Sequence, residues 1–226
     1  MADNKVTWLP LESNPEAMNK YLEKIGVTGA ECYDIYGFED ELLAMIPKPH
    51  LALIFCFPDE KARELMGPLY AGVTPSSGDG KVFFMKQEIE NACGTFALFH
   101  GLSQHIDKIK MDENGPFATW YKQAKSLDVN SRSKSLSQNQ GLATAHEACA
   151  TSGETEANVE KVDYHFICYT NVGGTLYELD SGMNAPRAIG PTTDDTLLKN
   201  AGKVCQELMA KLENIGFSAI ALVGKD

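Results

Sequence analysis

The chain has 226 residues, 43% of them hydrophobic, which predicts a single domain over residues 1–226 with a sizeable buried core. Its 20 basic and 31 acidic residues give a net charge of −11, which argues against nucleic acid as a partner and favours a basic or neutral one, although solubility alone would also account for the charge. Apolar runs stay shorter than about 18 residues, so we expect no membrane-spanning segment.

The cysteine content argues against metal and disulfide chemistry. Six cysteines, at positions 32, 56, 93, 149, 168 and 205, are scattered along the chain. The sequence has no CxxC pair and no histidine-rich cluster, so we expect no metal and no other cofactor. Because the N-terminus lacks the basic and apolar regions of a signal peptide, we expect reduced thiols and a location in the cytosol, with the nucleus as an alternative.

The first helix is predicted close to the N-terminus, and two caps are compatible with its start. Ser13 and Glu16 fit a capping box, whereas Asn14 would cap a helix that has Pro15 in its first turn. Gly26 stands where this helix should end.

Strand patterns follow the first helix. Residues 31–36 alternate as a short strand, and a helix is predicted through residues 42–43. Residues 51–57 form an unbroken apolar run, which is typical of a strand covered on both faces. The turn residues in 72–80 predict a mobile surface loop, and residues 81–85 again have strand-like character.

The helix predicted from residue 92 to about 109 is apolar almost all round and should therefore be central. Cys93 lies at its start. His100 is two turns further on, about 10 Å away by the helical rise, which is too far for proton transfer. We therefore interpret His100 and His105 as structural or surface histidines.

A polar composition marks the middle of the chain. A helix is predicted within 131–145, followed by an exposed and mobile loop over 144–159. A structureless loop of this length inside a compact domain is more often functional than idle, and a tolerated insertion is the alternative.

A β-hairpin is predicted from strands 162–170 and 175–180. A two-residue turn at 173–174 would place His165 and Asp180 diagonally on one face, and a loop centred one residue earlier would pair them directly. An odd-numbered loop without a bulge would separate them.

The C-terminal part of the chain predicts one more helix and a closing strand. The helix is expected over residues 192–213, with Thr193 or Asp194 as its cap. The apolar run 216–223 is expected to add the strand.

Four residues together indicate nucleophilic catalysis. Cys93 is placed at a helix N-terminus, where the helix dipole favours a thiolate. Gln87 supplies an amide donor six residues earlier, and together with the Cys93 backbone N–H it would stabilise an oxyanion. His165 and Asp180 follow on the hairpin. The chain order Gln, Cys, His, Asp is that of papain-like cysteine peptidases, so these residues predict a thiol hydrolase.

The sequence around these residues resembles the ubiquitin C-terminal hydrolase family, in particular its short, single-domain members. The resemblance extends over nearly the whole chain, including its first and last strands. It is carried by residues 84–87 and 91–95 around the cysteine, 163–167 around the histidine, 176–180 ending at the aspartate, and by 8–16, 34–37 and 217–222.

The resemblance implies an α/β (α+β) fold of the papain-like cysteine peptidase type. A central antiparallel sheet would be flanked by helices, and the chain would follow a knotted path that sequence rules alone would not propose. The resemblance also implies that the segment 144–159 crosses over the active site and limits the size of what passes beneath it.

The resemblance further implies a deubiquitinating hydrolase that acts as a monomer on ubiquitin or a ubiquitin-like modifier, without nucleic acid, membrane, metal or cofactor. Cys93, His165, Asp180 and Gln87 would be its catalytic residues. Two alternatives stay open, a ubiquitin-binding protein with little catalysis and a general thiol peptidase. The residues expected to bind substrate are Pro10, Leu11, Glu12, Glu16, Asp34, Ser152, Gly153, Ile215 and Phe217.

Overall fold

The computed structural model describes residues 6–73, 81–154, 162–212 and 216–225. The helices in these ranges are α1 (Pro15–Lys24), α2 (Asp40–Leu43), α3 (Asp59–Met66), α4 (Cys93–Gln104), α5 (Pro116–Ala124), α6 (Val129–Ser137), α7 (Gln140–Ala150) and α8 (Leu197–Leu212). The strands are β1 (Ala30–Asp34), β2 (His50–Pro58), β3 (Tyr164–Val172), β4 (Thr175–Leu179), β5 (Arg187–Pro191) and β6 (Ser218–Gly224). Within these ranges, no helix combines the length and apolarity that crossing a bilayer would require.

The strands form one six-stranded sheet in the order β1-β6-β2-β3-β4-β5. Each neighbouring pair is antiparallel, so the predicted central antiparallel sheet with flanking helices is confirmed. The apolar run in β2 is buried throughout residues 51–57 because the sheet has a hydrophobic core on each face. Helix α4 packs on one face and α8 on the other.

Helix α4 is central, as predicted. Every residue from Cys93 to Ser103 is buried, and the helix packs against β2 and β3. It approaches the sheet closely at Gly101, where an added Cβ would lie 3.1 Å from both the Ala52 Cβ and the Leu222 Cδ2. The helix ends at Gln104, five residues before the predicted end.

His100 of α4 and His105, which directly follows the helix, are buried structural residues, not surface ones. His100 Nε2 accepts a hydrogen bond from the Met85 backbone N–H at 3.0 Å, and His105 Nε2 lies 2.9 Å from Thr170 Oγ1. Burial is the main cause that lowers the pKa of each imidazole to about 4. Both rings are therefore neutral near pH 7 and act as hydrogen-bonding parts of the core.

Residues 81–85 do not form the predicted strand, because side chains occupy the backbone groups that a neighbouring strand would need. Gln104 accepts from the Phe83 N–H at 3.1 Å and donates to the Phe83 carbonyl at 2.7 Å. Arg132 Nη1 donates to the Phe84 carbonyl at 2.9 Å. Residues 82–85 are buried, but the segment joins no sheet.

The predicted exposed loop 144–159 is wrong in its first half, since residues 144–150 belong to α7. The helix is capped by Asn139, whose side chain accepts from the Leu142 N–H at 3.0 Å. Its buried face carries Leu142, His146 and three small residues, Ala145, Cys149 and Ala150. In the sequence, this composition resembles that of a solvent-exposed segment. Residues 155–159 lie outside the described ranges, as do residues 74–80 of the other predicted loop.

The predicted start of the last helix needs correction. Helix α8 begins at Leu197, so neither Thr193 nor Asp194 is its cap. Thr193 instead closes the preceding turn by accepting the Thr196 N–H at 3.2 Å, and Asp194 binds Lys108 at 2.9 Å.

For the first helix, α1, the second predicted cap is confirmed: Asn14 caps α1 by accepting the Glu16 N–H at 2.8 Å.

A buried charge cluster links β3, β4 and β5. Glu178 is 1% exposed. Its Oε1 accepts from Tyr70 Oη at 2.7 Å and from Arg187 Nε at 3.0 Å. Its Oε2 accepts from Tyr169 Oη at 2.8 Å and from Arg187 Nη2 at 2.8 Å. The carboxylate is therefore paired with a cation and has all its lone-pair sites in use.

At one edge of the sheet, a side chain takes the place of a further strand. Asn19 of α1 accepts from the Cys32 backbone N–H at 2.7 Å and donates to the Cys32 carbonyl at 3.1 Å. The amide therefore satisfies both backbone groups of the central residue of β1.

Candidate active site

Cys93 is the first residue of α4, as the sequence predicts. Its backbone N–H belongs to the first turn of the helix, where N–H groups lack an intrahelical partner and point outward. The preceding turn contains Asn91 with φ of +62°, a left-handed conformation that asparagine tolerates better than most residues. This turn ends the extended segment and directs the chain into α4.

The hairpin formed by β3 and β4 brings histidine and acid together. Gly173 and Gly174 both have positive φ, 60° and 86°, and the register pairs Val172 with Thr175. This is the two-residue turn of the first alternative, which places the two side chains diagonally. His165 Nε2 lies 2.7 Å from Asp180 Oδ1, and both residues are buried.

The electrostatics of this pair favour a charged imidazole. Burial alone lowers the pKa of His165, but hydrogen bonds with Asp180 and Cys93 outweigh it and raise the pKa to about 10. Since Nε2 binds Asp180, Nδ1 is the nitrogen that remains for the thiol of Cys93. The three side chains therefore form one connected Cys-His-Asp arrangement.

Asp180 is held as a carboxylate by several donors. Burial raises its pKa, and the hydrogen bond to His165, the Gly182 N–H at 2.8 Å and the charge of Arg63 together lower it below the ordinary value. Arg63 lies directly over Gly182, where an added Cβ would be 2.8 Å from its Nη1. The sequence analysis missed Arg63, although its i,i+4 pairing with Asp59 on α3 was a readable signal.

The amide of Gln87 is fixed at both ends. Its Nε2 donates to the Ile89 carbonyl at 2.9 Å, and its Oε1 accepts from Ser181 Oγ at 2.9 Å. The Gln87 backbone N–H also donates to the Ser181 carbonyl at 2.7 Å. Sequence reasoning missed Ser181; its position directly after Asp180 was the one available signal.

Among the residues predicted to bind substrate, those of the N-terminal segment lie nearest to the start of α4. Leu11 is buried and packs on Gly94, where an added Cβ would be 3.1 Å from the Leu11 Cβ. Glu12 Oε2 accepts from the Glu154 N–H at 2.7 Å. Gly153 packs against the same carboxylate.

The remaining predicted substrate residues are spread more widely. Pro10 is half-buried beside Leu11, and Ser152 is exposed at the end of α7. A third set lies around β1 and β6: Asp34 ends β1, Phe217 precedes β6 and stacks on Phe55 with ring centroids 5.7 Å apart, and Glu16 lines a groove between α1 and β1. Ile215 lies outside the described residues.

Comparison with known proteins gives a consistent result. The family model described as "Ubiquitin carboxyl-terminal hydrolase, family 1" matches residues 8–210. A ubiquitin carboxyl-terminal hydrolase of Aplysia californica is 39% identical over 209 residues, covering 90% of this chain and 95% of the relative. The human ubiquitin carboxyl-terminal hydrolase isozyme L1 is 36% identical over 224 residues, covering 94% and 96%.

A solved structure supports the fold. The catalytic domain of Trichinella spiralis UCH37, crystallised with ubiquitin vinyl methyl ester, superposes with a TM-score of 0.76 over 96% of each chain, at 22% identity. The predicted papain-like fold is thereby confirmed. The knotted path stays a prediction, because part of the crossover segment lies outside the described residues.

The fold and the buried Cys-His-Asp arrangement define a cysteine-type hydrolase. The family match over most of the chain makes the assignment narrower: the protein belongs to the ubiquitin carboxyl-terminal hydrolases of family 1.

Proposed function

We propose that the protein is a deubiquitinating hydrolase that removes small adducts or peptides from the C-terminal glycine of ubiquitin, and that ubiquitin-like modifiers are further candidate substrates. The observation that supports this most is the buried His165–Asp180 pair, which leaves the second imidazole nitrogen to Cys93 at the start of α4. Family membership directs this chemistry to ubiquitin.

The first half of the reaction forms a thioester. His165 takes the thiol proton of Cys93, the sulfur attacks the carbonyl carbon of the terminal glycine, and the carbonyl π electrons move to oxygen. The Cys93 N–H and the Gln87 amide donate to this oxyanion. When the oxyanion collapses, the bond to the leaving group breaks, and the His165 imidazolium gives its proton to the departing amine.

The second half regenerates the enzyme. Neutral His165 takes a proton from a water molecule as that water attacks the thioester carbonyl. The second oxyanion forms in the same place and collapses with loss of the thiolate. Ubiquitin leaves with a free C-terminal carboxylate, and the Asp180 carboxylate keeps the imidazole in one orientation throughout.

The crossover segment restricts the leaving group in this proposal. The described residues of this segment that follow α7, 151–154, are held near the N-terminus of the chain by the bond from the Glu154 N–H to Glu12. A leaving group must therefore be small or flexible enough to pass beneath the segment. Since the six cysteines are unpaired and buried, we also propose that the protein works in the reducing cytosol, with the nucleus as a second location. We further propose that it works as a monomer.

The deciding measurement is hydrolysis of ubiquitin 7-amido-4-methylcoumarin. We expect turnover by the wild type and none above background by Cys93→Ala, with ubiquitin affinity retained in the variant. Cys149→Ala is a matched control, because it removes a buried thiol of α7 that has no part in the proposed chemistry. Equal activity of wild type and Cys93→Ala would refute the proposal. Ubiquitin binding without turnover would favour a binding protein.

A further inference from the structure

Ser181 connects the acid of the triad to the oxyanion donor. The residue is 1% exposed and directly follows Asp180 in the chain. Its hydroxyl donates to Gln87 Oε1 at 2.9 Å, while its backbone carbonyl accepts from the Gln87 N–H at 2.7 Å. Ser181 therefore binds Gln87 twice, at the side-chain amide and at the backbone N–H.

These contacts determine which way the Gln87 amide points. The Ile89 carbonyl can only accept, so it must face the NH₂ group, at 2.9 Å. The opposite end of the amide is then the oxygen, and it receives the Ser181 hydroxyl. One N–H of the NH₂ group is used by Ile89. The other meets no acceptor in the described part of the chain and is available to an oxyanion.

We propose that Ser181 is a positioning residue for the oxyanion site, and that its hydroxyl keeps the Gln87 amide turned with a free N–H toward the reacting carbonyl oxygen. This inference rests on the proposed function only for the identity of the physiological substrate. The positioning of Gln87 applies to any reaction that transfers an acyl group to Cys93.

The Ser181 hydroxyl does not hydrogen-bond to Asp180, the catalytic acid, in the described part of the chain. Asp180 Oδ1 is bound by His165 at 2.7 Å and by the Gly182 N–H at 2.8 Å, and neither bond involves the Ser181 side chain. The segment that contains Gln87 and the segment that follows Asp180 stay connected by two other hydrogen bonds when the hydroxyl is removed. The Gln87 N–H to Ser181 carbonyl bond is one, and Lys86 Nζ to Asn184 Oδ1 at 2.6 Å is the second.

The test substitution is Ser181→Ala, which deletes only the hydroxyl. Loss of a whole oxyanion donor lowers kcat by about 100- to 1,000-fold, and a misoriented donor loses part of that, so we expect kcat to fall by about 10-fold at unchanged KM. Ser181→Thr keeps the hydroxyl and should recover most of the rate. In a Gln87→Ala background, Ser181→Ala should have no further effect, because its target is absent.

Two reactions of Cys93 separate orientation of the amide from alignment of the triad, and neither uses ubiquitin. Acylation by p-nitrophenyl acetate passes through an oxyanion, whereas alkylation by iodoacetamide does not. Ser181→Ala should slow acylation by about 10-fold and leave alkylation unchanged, with rates corrected for a Cys93→Ala sample. Equal slowing of both reactions, or of neither, overturns the proposal. Absence of ubiquitin amide turnover by the wild type overturns the proposed function alone.

Discussion

Replacing Glu178 by glutamine tests how much the buried charge cluster contributes to stability. The substitution keeps the shape of the side chain, but one acceptor oxygen becomes an NH₂ group. Two of the four donors from Tyr70, Tyr169 and Arg187 then face another donor. The Arg187 side chain, 15% exposed, also loses its counter-charge. Removing one partner of a buried pair costs about 3–5 kcal/mol of unfolding free energy.

The expected loss is large enough for routine measurement. For a chain of this length, each kcal/mol shifts Tm by about 2–4 °C, so Glu178→Gln should lower Tm by about 6–20 °C. Urea unfolding at pH 7 should give the same free-energy difference from the midpoint and slope. The matched control is Asp40→Asn. It removes an ion pair with Lys199 at 2.6 Å in which Asp40 is 68% exposed, and it should cost less than about 1 kcal/mol.

A loss for Glu178→Gln as small as that of the control would refute the reasoning. A double variant sharpens the test. Replacing Glu178 by leucine and Arg187 by methionine removes both charges, so it should recover much of the stability that the single substitution loses. If the double variant is less stable than Glu178→Gln, the hydrogen bonds to the two tyrosines, not the unpaired arginine, account for the loss.

Three further predictions concern the active site. Since the His165 pKa is raised to about 10, the stability from its charged form is complete below pH 6.5 and is lost as pH rises from there to about 10. The folded enzyme loses the imidazolium itself only around pH 10, so kcat/KM should fall as pH rises through that value, and a profile flat to pH 11 would contradict this. Asp180→Asn should lower kcat by about 100-fold or more and leave ubiquitin affinity near normal, because it removes the group that orients the His165 imidazole and no contact with ubiquitin. Affinity is measured by titration and kcat by steady-state kinetics. A loss of affinity at unchanged kcat would show that the role of Asp180 is misassigned. Inserting about 10–20 Gly and Ser residues between Ser152 and Gly153 costs little closure entropy, so small-amide turnover should persist while cleavage of diubiquitin appears on gels. A wild type that already cuts diubiquitin as fast as a short adduct would exclude a size filter.

Local chemistry in the sequence was sufficient to predict two parts of the candidate active site, the His165–Asp180 pair and the helix that begins at Cys93. The Gly173-Gly174 turn determines the parity of the hairpin, and parity alone decides whether His165 and Asp180 share a face. Residues 93–104 are apolar on nearly all sides of the predicted helix, which likewise indicates a central helix that begins at Cys93. Each of these features depends on residues that are close in the chain.

Features that depend on distant partners were missed. Residues 81–85 have strand-like composition, but Gln104 and Arg132 bind their backbone, and no local pattern reports that. From the sequence, the segment that forms α7 was predicted to be largely exposed, and its His146 has the polarity of a surface residue. In the fold this ring is buried between the Leu9 carbonyl and Thr95 Oγ1, each at 2.7 Å. Ser181 was missed for the same reason, since its partner is 94 residues away.

The contact between Asn19 and Cys32 also bears on how the protein behaves at high concentration. An edge strand with free N–H and C=O groups is a template on which a second chain can add a strand. In β1, the central pair of such groups is already bonded to an amide from the same molecule. A chain that approached this edge would have to displace a preformed intramolecular contact, so the side chain of Asn19 protects the sheet against edge-to-edge association without adding a charge or a proline.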